Sequence, residues 1–284
     1  MTSFTAACIQ LRSGKSISRN SASAEELVRA AVKDGAKLVQ TPEMSNILVR
    51  SRSELMDSIT DEARDPFLAM ARALASELSV WFHVGSLAVL AGDDKVANRG
   101  FMISPAGVVV ASYDKIHMFD VDLPNGETWR ESSTYRSGTV SPVLETPLAK
   151  IGLAVCYDIR FPALFRAQAR EGAEVLTAPA AFTRQTGDAH WHVLQRARAI
   201  ENGAYVISSA QGGTHEDGRE TYGHSLIVDP WGKIVAEAEH DEPGYVLAEI
   251  DTDKVAKARQ RIPAIANERE FACSLVGDAK EMHA

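Results

Sequence analysis

The sequence predicts an α/β protein of two sheets packed face to face with helices outside, and three observations carry that prediction. Short β-rich runs alternate along the chain with amphipathic helical patterns. The segment Gly35-Ala36-Lys37-Leu38-Val39-Gln40-Thr41-Pro42 is echoed by Gly172-Ala173-Glu174-Val175-Leu176-Thr177-Ala178-Pro179, glycine and proline both displaced by 137 positions. Phe101-Met102-Ile103-Ser104-Pro105-Ala106-Gly107 is echoed by Leu226-Ile227-Val228-Asp229-Pro230-Trp231-Gly232, with a displacement of 125 for proline and glycine. Each half therefore holds a helix, a strand and a hairpin, and each sheet must cover an apolar face.

Residues 4–10 form the first expected strand. Ala24, Leu27, Val28, Ala31 and Val32 recur at helical spacing within 21–34, and Gly35 ends that helix. A short strand over 37–40 leads into Thr41-Pro42-Glu43. Phe67, Met70, Ala71, Leu74 and Leu78 mark a second helix over Pro66–Leu78. Trp81–Leu90 and 100–104 follow as strands, and turn chemistry at 104–107 joins the latter to 108–113 as a hairpin. Residues 152–155 form a compact buried strand ending at Cys156. Pro162–Arg170 is helical, 175–178 a strand and 190–201 a helix. Strands over 205–209, 225–228 and 234–236 complete the expected β content. Residues 251–284 are charged and irregular. No linker divides the halves, so the expected organisation is one domain over 1–263 with a C-terminal extension over 264–284.

Composition excludes several classes. With 45% hydrophobic and 24% charged residues among 284, the chain has enough apolar material for an unaided core. A formal net charge of -8 argues against a nucleic-acid binder or a basic membrane-surface module. No apolar run approaches the ~20 residues of a membrane span, and the N-terminus lacks a secretory layout. Cys8, Cys156 and Cys273 are sparse and far apart, which suits a reducing, cytoplasmic setting and leaves a catalytic thiol open.

Three reactive side chains follow strands in the same manner: Glu43, Lys115 and Cys156. Sites of α/β proteins gather beyond strand carboxyl ends. A thiol with a free pKa of about 8.5 needs a base to become a nucleophile. A carboxylate can take its proton, and an ammonium can stabilise thiolate and oxyanion. The Tyr157 N–H, in the turn after the thiol, is a candidate second oxyanion donor. Arg160 has the planar fork suited to a substrate carboxylate, or to an ion pair with Asp158 or another acid. His190 and His192 stand two apart on a helix and point in different directions, a poor chelate. No Gly-x-Ser-x-Gly segment marks a serine hydrolase.

Lys150-Ile151-Gly152-Leu153-Ala154-Val155-Cys156-Tyr157-Asp158-Ile159-Arg160-Phe161-Pro162 resembles the nucleophile segment of the nitrilase, or carbon–nitrogen hydrolase, superfamily. Thr41-Pro42-Glu43 resembles its glutamate segment and Tyr113-Asp114-Lys115-Ile116-His117 its lysine segment, in the family's order. Similarity continues through Gly187-Asp188-Ala189-His190-Trp191 and Gly223-His224-Ser225, over about residues 4–263. The resemblance implies a four-layer αββα sandwich of two mixed sheets. It assigns Glu43 as general base, Lys115 as stabiliser of the intermediate and Cys156 as nucleophile. It implies a second active-site glutamate, matched by Glu131, with Glu127 as competitor. Arg160, Phe182 and His190 are candidate substrate contacts. The implied reaction forms a Cys156 thioester from a small linear carboxamide, releases ammonia and then acid, and needs no metal or organic cofactor. Within the superfamily the segments resemble the ω-amidase and deaminated glutathione amidase branches. The alternatives are a nitrilase, an N-carbamoyl amidohydrolase or a non-catalytic binding module. A homodimer or higher homo-oligomer is also implied.

Overall fold

The computed structural model describes residues 3–92, 95–124 and 126–275. In chain order the first half supplies β1 (Ser3–Gln10), α1 (Ile17–Lys33), β2 (Leu38–Gln40), α2 (Arg52–Ser58), α3 (Pro66–Leu78), β3 (Trp81–Leu90), β4 (Val96–Ile103) and β5 (Val109–Asp114). A small ribbon, β6 (Asp120–Asp122) and β7 (Thr128–Arg130), follows. The second half supplies β8 (Val143–Glu145), β9 (Lys150–Gly152), α4 (Pro162–Arg170), β10 (Val175–Thr177), α5 (Arg184–Asn202) and β11 (Tyr205–Ser208). It continues with β12 (Gly212–Thr214), β13 (Glu220–Tyr222), β14 (Leu226–Val228), β15 (Ile234–Glu237), β16 (Gly244–Asp251) and α6 (Thr252–Arg261).

Two six-stranded mixed sheets result, ordered β16-β1-β2-β3-β4-β5 and β15-β14-β11-β10-β9-β8. Alternation along β1 explains the layering: Ala6 and Cys8 face the second sheet, while Ala7 and Ile9 face the helices. Val28 and Ala31 of α1 and Phe67, Ala71 and Leu74 of α3 cover the first sheet. Phe165 of α4 with Trp191 and Ala199 of α5 cover the second. The order is helix, sheet, sheet, helix, the αββα sandwich.

Capping sets the helix starts. Asp65 Oδ1 accepts from Leu68 N at 2.8 Å and Pro66 opens α3, so both ends of that helix match the expectation. Thr183 caps α5, which begins at Arg184 rather than at 190. Its polar first turn hides the periodicity, and Gly187 within it is needed because a Cβ there would come within 2.3 Å of the Tyr222 side chain. The strand before the nucleophile is also shorter than expected. It ends at Gly152, and 153–155 run on without ladder partners because Ala154 N and Val155 N turn to Thr177 Oγ1 and Asp158 Oδ2.

The largest correction is C-terminal. Gly244–Asp251 is a full strand, antiparallel to β1 from Ser3↔Asp251 to Gln10↔Gly244. Thr252–Arg261 is a capped helix that buries Val255 and Ala258, not an irregular tail. Arg259 ties it down through the carbonyls of Asn202 and Ala173. The expected extension over 264–284 is exposed from 264 to 275 except at half-buried Ile265, and 276–284 lie outside the described residues.

Candidate active site

The β2 end brings Glu43 to the seam between the sheets. Gly85 of β3 permits this, because a Cβ there would sit 2.1 Å from the Thr41 carbonyl and 2.5 Å from Pro179 Cβ. The two echoed prolines thus converge, and Ala181 N donates to Glu43 Oε2 at 2.9 Å. Lys115 follows β5, with its N–H bonded to the Asn98 carbonyl at 2.9 Å. Cys156 opens a 3-10 turn over Cys156–Arg160 with φ of 50°, a left-handed conformation that β-carbon sterics disfavour. Cys156 N donates to the Pro179 carbonyl at 2.9 Å, and buried Asp158 braces the turn. Asp158 accepts from Val155 N, Tyr113 Oη and His117 N.

Lys115 Nζ lies 2.9 Å from Glu43 Oε1 and 2.8 Å from Glu131 Oε2. Asn98 Nδ2 donates to Glu43 at 2.9 Å and to Glu131 at 3.2 Å. Phe119 N donates to Glu131 Oε2 at 2.7 Å. Glu127 goes elsewhere and pairs with Arg50 at 3.1 Å. Cys156 lies on the same cavity wall as Glu43 and Lys115, close enough for its thiol to interact electrostatically with both. The side chains of Glu43, Asn98, Lys115, Glu131 and Cys156 are buried or nearly so.

Burial makes the charges interdependent. Desolvation alone would raise the Glu43 carboxyl, but the Lys115 charge and hydrogen bonds from Cys156, Lys115 and Asn98 hold it below the ordinary range. Desolvation would lower Lys115, yet Glu131, Glu43 and Cys156 hold its ammonium well above the usual value. Burial and then the Glu43 charge push the Cys156 thiol well up, against the opposing pull of Lys115. Burial thus favours the neutral thiol beside a carboxylate that can take its proton.

These groups open into a cavity of about 370 Å³ that also receives Tyr157, Arg160 and Phe182. Arg160 does not pair with Asp158, whose oxygens are taken by Tyr113, His117 and Val155. Among the described residues no carboxylate pairs with it. It stacks 5.3 Å over Phe182 and 5.9 Å over Tyr157. His190 does not line the cavity; it is exposed on α5, with Nδ1 3.3 Å from Arg160 Nη1.

Sequence reasoning missed Asn98, which sits on β4 upstream of the expected strand start; a buried polar residue between Ala97 and Phe101 was the available signal. It also missed Arg50, Trp129 and Arg219 in the cavity wall. Cys8 is no competitor: it is fully buried, its thiol pushed up to about 12, and it contacts the Leu226 carbonyl. Outside the cavity wall, His192, His224 and Glu237 hold ligand-type atoms within 4.8 Å of one another. Both imidazoles bond the same Glu237 oxygen, at 2.7 and 3.0 Å.

The sequence profile of the family described as Carbon-nitrogen hydrolase matches residues 5–260. A deaminated glutathione amidase from Synechocystis sp. is 40% identical over 270 residues, 93% of this chain and 98% of that one. One from Mus musculus is also 40% identical, over 93% of this chain and 82% of its own. Among solved structures, the C. elegans NitFhit protein is 34% identical with a TM-score of 0.89. That likeness covers 95% of this chain and 66% of NitFhit, so the chain spans about two thirds of that protein's length. A thiol, a carboxylate and an ammonium meeting at the seam of an αββα sandwich, in a sequence matched almost end to end, place the chain in the carbon–nitrogen hydrolase family.

Proposed function

We propose that the protein is a cysteine-dependent amidase of the deaminated glutathione type. The observation that carries this is the buried cluster in which Lys115 Nζ stands 2.9 Å from Glu43 Oε1 and 2.8 Å from Glu131 Oε2, on the same cavity wall as the Cys156 thiol. As sulfur attacks the amide carbon, Glu43 accepts the thiol proton. Lys115 and the Tyr157 N–H, one of the donors left free at a helical start, stabilise the oxyanion. On collapse Glu43 passes the proton to the leaving nitrogen, and ammonia or an amine departs. Glu43 then deprotonates a water that attacks the thioester; the carboxylic acid leaves and the thiol is restored. Glu131 and Asn98 orient Lys115 and Glu43. Every proton moves between Cys156, Glu43, the leaving nitrogen and water, and no step calls for a metal or cofactor.

Arg160 supplies the positive charge for a carboxylate on the acyl portion, and Phe182 the apolar wall beside it. Release of ammonia or amine from amide, nitrile and N-carbamoyl compounds, measured side by side, tests this proposal. The amide is expected to be fastest, and preferential turnover of a nitrile would replace the amidase assignment with that of a nitrilase.

We further propose a homo-oligomer acting in the cytoplasm. Val193 and Ile200, two turns apart on α5, and Trp231 beside them are exposed apolar groups that a second copy would cover. Three free cysteines and the acidic composition suit a reducing compartment. One domain over 1–263 with an appended 264–284 segment fits this arrangement.

A further inference from the structure

The wall of the cavity away from Arg160 holds a second cation for which the reaction steps have no use. Arg219 lies on the β12–β13 connection, its side chain only 13% exposed. Among the described residues its guanidinium makes no hydrogen bond, and Nε is buried without a partner. Asp217 Oδ2 forms a loose ion pair with the guanidinium at 3.6 Å, too long for a hydrogen bond, and that oxygen is itself buried without a hydrogen-bond partner. Trp129 lies against it, ring centroid 4.5 Å from the guanidinium carbon, and the indole N–H is likewise buried and unpartnered. Two orphaned donors on adjacent cavity-lining residues are costly unless a ligand supplies acceptors.

The loop is built to hold this cation in place. His215 Nδ1 bonds the Ser13 carbonyl at 2.8 Å, and His215 N donates to the Arg219 carbonyl at 2.8 Å. A chain of rings, Trp129 to Phe119 at 6.3 Å and Phe119 to Tyr157 at 5.1 Å, joins this wall to Arg160. Gln211, just before β12, donates Nε2 to the Ser13 hydroxyl at 2.8 Å and to the Glu43 carbonyl at 3.0 Å, so the loop that carries Arg219 is anchored beside Glu43. The proton acceptor that later serves the leaving nitrogen is therefore on the Arg219 side.

We infer that Arg219, with Trp129, forms an anion subsite for a carboxylate on the leaving-amine portion of the substrate. The preferred substrates are then linear secondary amides charged at both ends, one carboxylate met by Arg160 and the other by Arg219, with the scissile carbonyl between them at Cys156. This rests on the amidase reading above and specifies which amides it acts on.

The test compares deaminated glutathione with its analogue carrying a C-terminal carboxamide in place of the glycine carboxylate. In Arg219→Gln, KM for the carboxylate substrate is expected to rise at least tenfold, with kcat within twofold, while both constants for the carboxamide analogue stay within twofold of wild type. Arg219→Lys should recover part of the loss. Unchanged constants for the carboxylate substrate, or equal losses for both substrates, would overturn the inference; the analogue also reports whether the variant folds. Calorimetric binding of cysteinylglycine to the wild-type and Arg219→Gln proteins needs no turnover, so it separates failure of the subsite from failure of the amidase reading. Weaker binding to the variant supports the subsite, and equal binding counts against it.

Discussion

The two halves of the molecule repeat each other in backbone and differ in what stands at the strand ends. In each, three parallel strands are flanked by an antiparallel strand on one side and a hairpin on the other: β16-β1-β2-β3-β4-β5 against β8-β9-β10-β11-β14-β15. The hairpins match pair for pair. Phe101↔Ser112 and Ile103↔Val109 answer Leu226↔Glu237 and Val228↔Ile234, and the register shift falls after Met102 in one and after Ile227 in the other. Ala6 meets Leu38 as Ile151 meets Val175. In this frame Cys156 occupies the place of Leu11, Glu43 that of Ala180 and Lys115 that of His240. One half gives the carboxylate and the cation, the other the thiol. The twins contribute apolar volume or backbone: Leu11 is buried, and His240 offers its carbonyl to Gln10 Nε2 at 2.8 Å. A repeated scaffold thus carries an unrepeated site, because the chemistry needs unlike groups facing across the seam.

Breaking the thiol should have the largest effect. Cys156→Ala is expected to lower kcat/KM by about 10⁴-fold or more, since the covalent route is lost while binding remains. A thermal melt should show the fold intact.

Lys115→Met comes next. It leaves Glu43 and Glu131 buried without their shared cation, and removing one partner of a buried charge cluster costs about 3–5 kcal/mol. Denaturant unfolding should show that loss, together with a fall in turnover of about 10²-fold or more.

The pH profile sharpens the same point. Glu43 titrates below its ordinary range, so its contribution to stability is present above the usual carboxylate pKa of about 4.3 and is lost as pH falls through the lowered folded value. Lys115 is raised, so its contribution holds through neutrality and is lost only as pH rises through the raised value. The kcat/KM profile should be flat from about pH 5 to 8, with the acid limb below the usual carboxylate pKa. A midpoint near 6 to 7 would point to a different base.

The smallest effect belongs to the twin of Lys115. His240→Ala should alter stability by no more than about 0.5 kcal/mol, because the side chain is exposed and its backbone makes the contacts. Turnover should not change.

Much of this frame was legible in local patterns. The helix ending at Gly35, the Pro66 start of α3 and the matched glycine–proline punctuation come from steric rules that act within a few residues. The illegible parts depend on distant partners. Gly244–Asp251 is mostly half-buried and mixed in polarity, and becomes a strand only because β1 lies beside it. Cys156 does not end a strand, because Asp158 draws the Val155 N–H out of the ladder. Asn98 and Arg219 carry no motif; their positions against Glu43 and Trp129 follow from sheet register and loop anchoring.

The most direct test of the central claim, that one sulfur forms a bond to the substrate's acyl carbon, is mass spectrometry of rapidly quenched protein during turnover of a carboxamide. The account predicts an added mass equal to the acyl group, mapped to the peptide containing Cys156, forming no slower than product and absent from Cys156→Ala. Turnover continuing in Cys156→Ala, or an acyl group found on Cys8 or Cys273 instead, would contradict it.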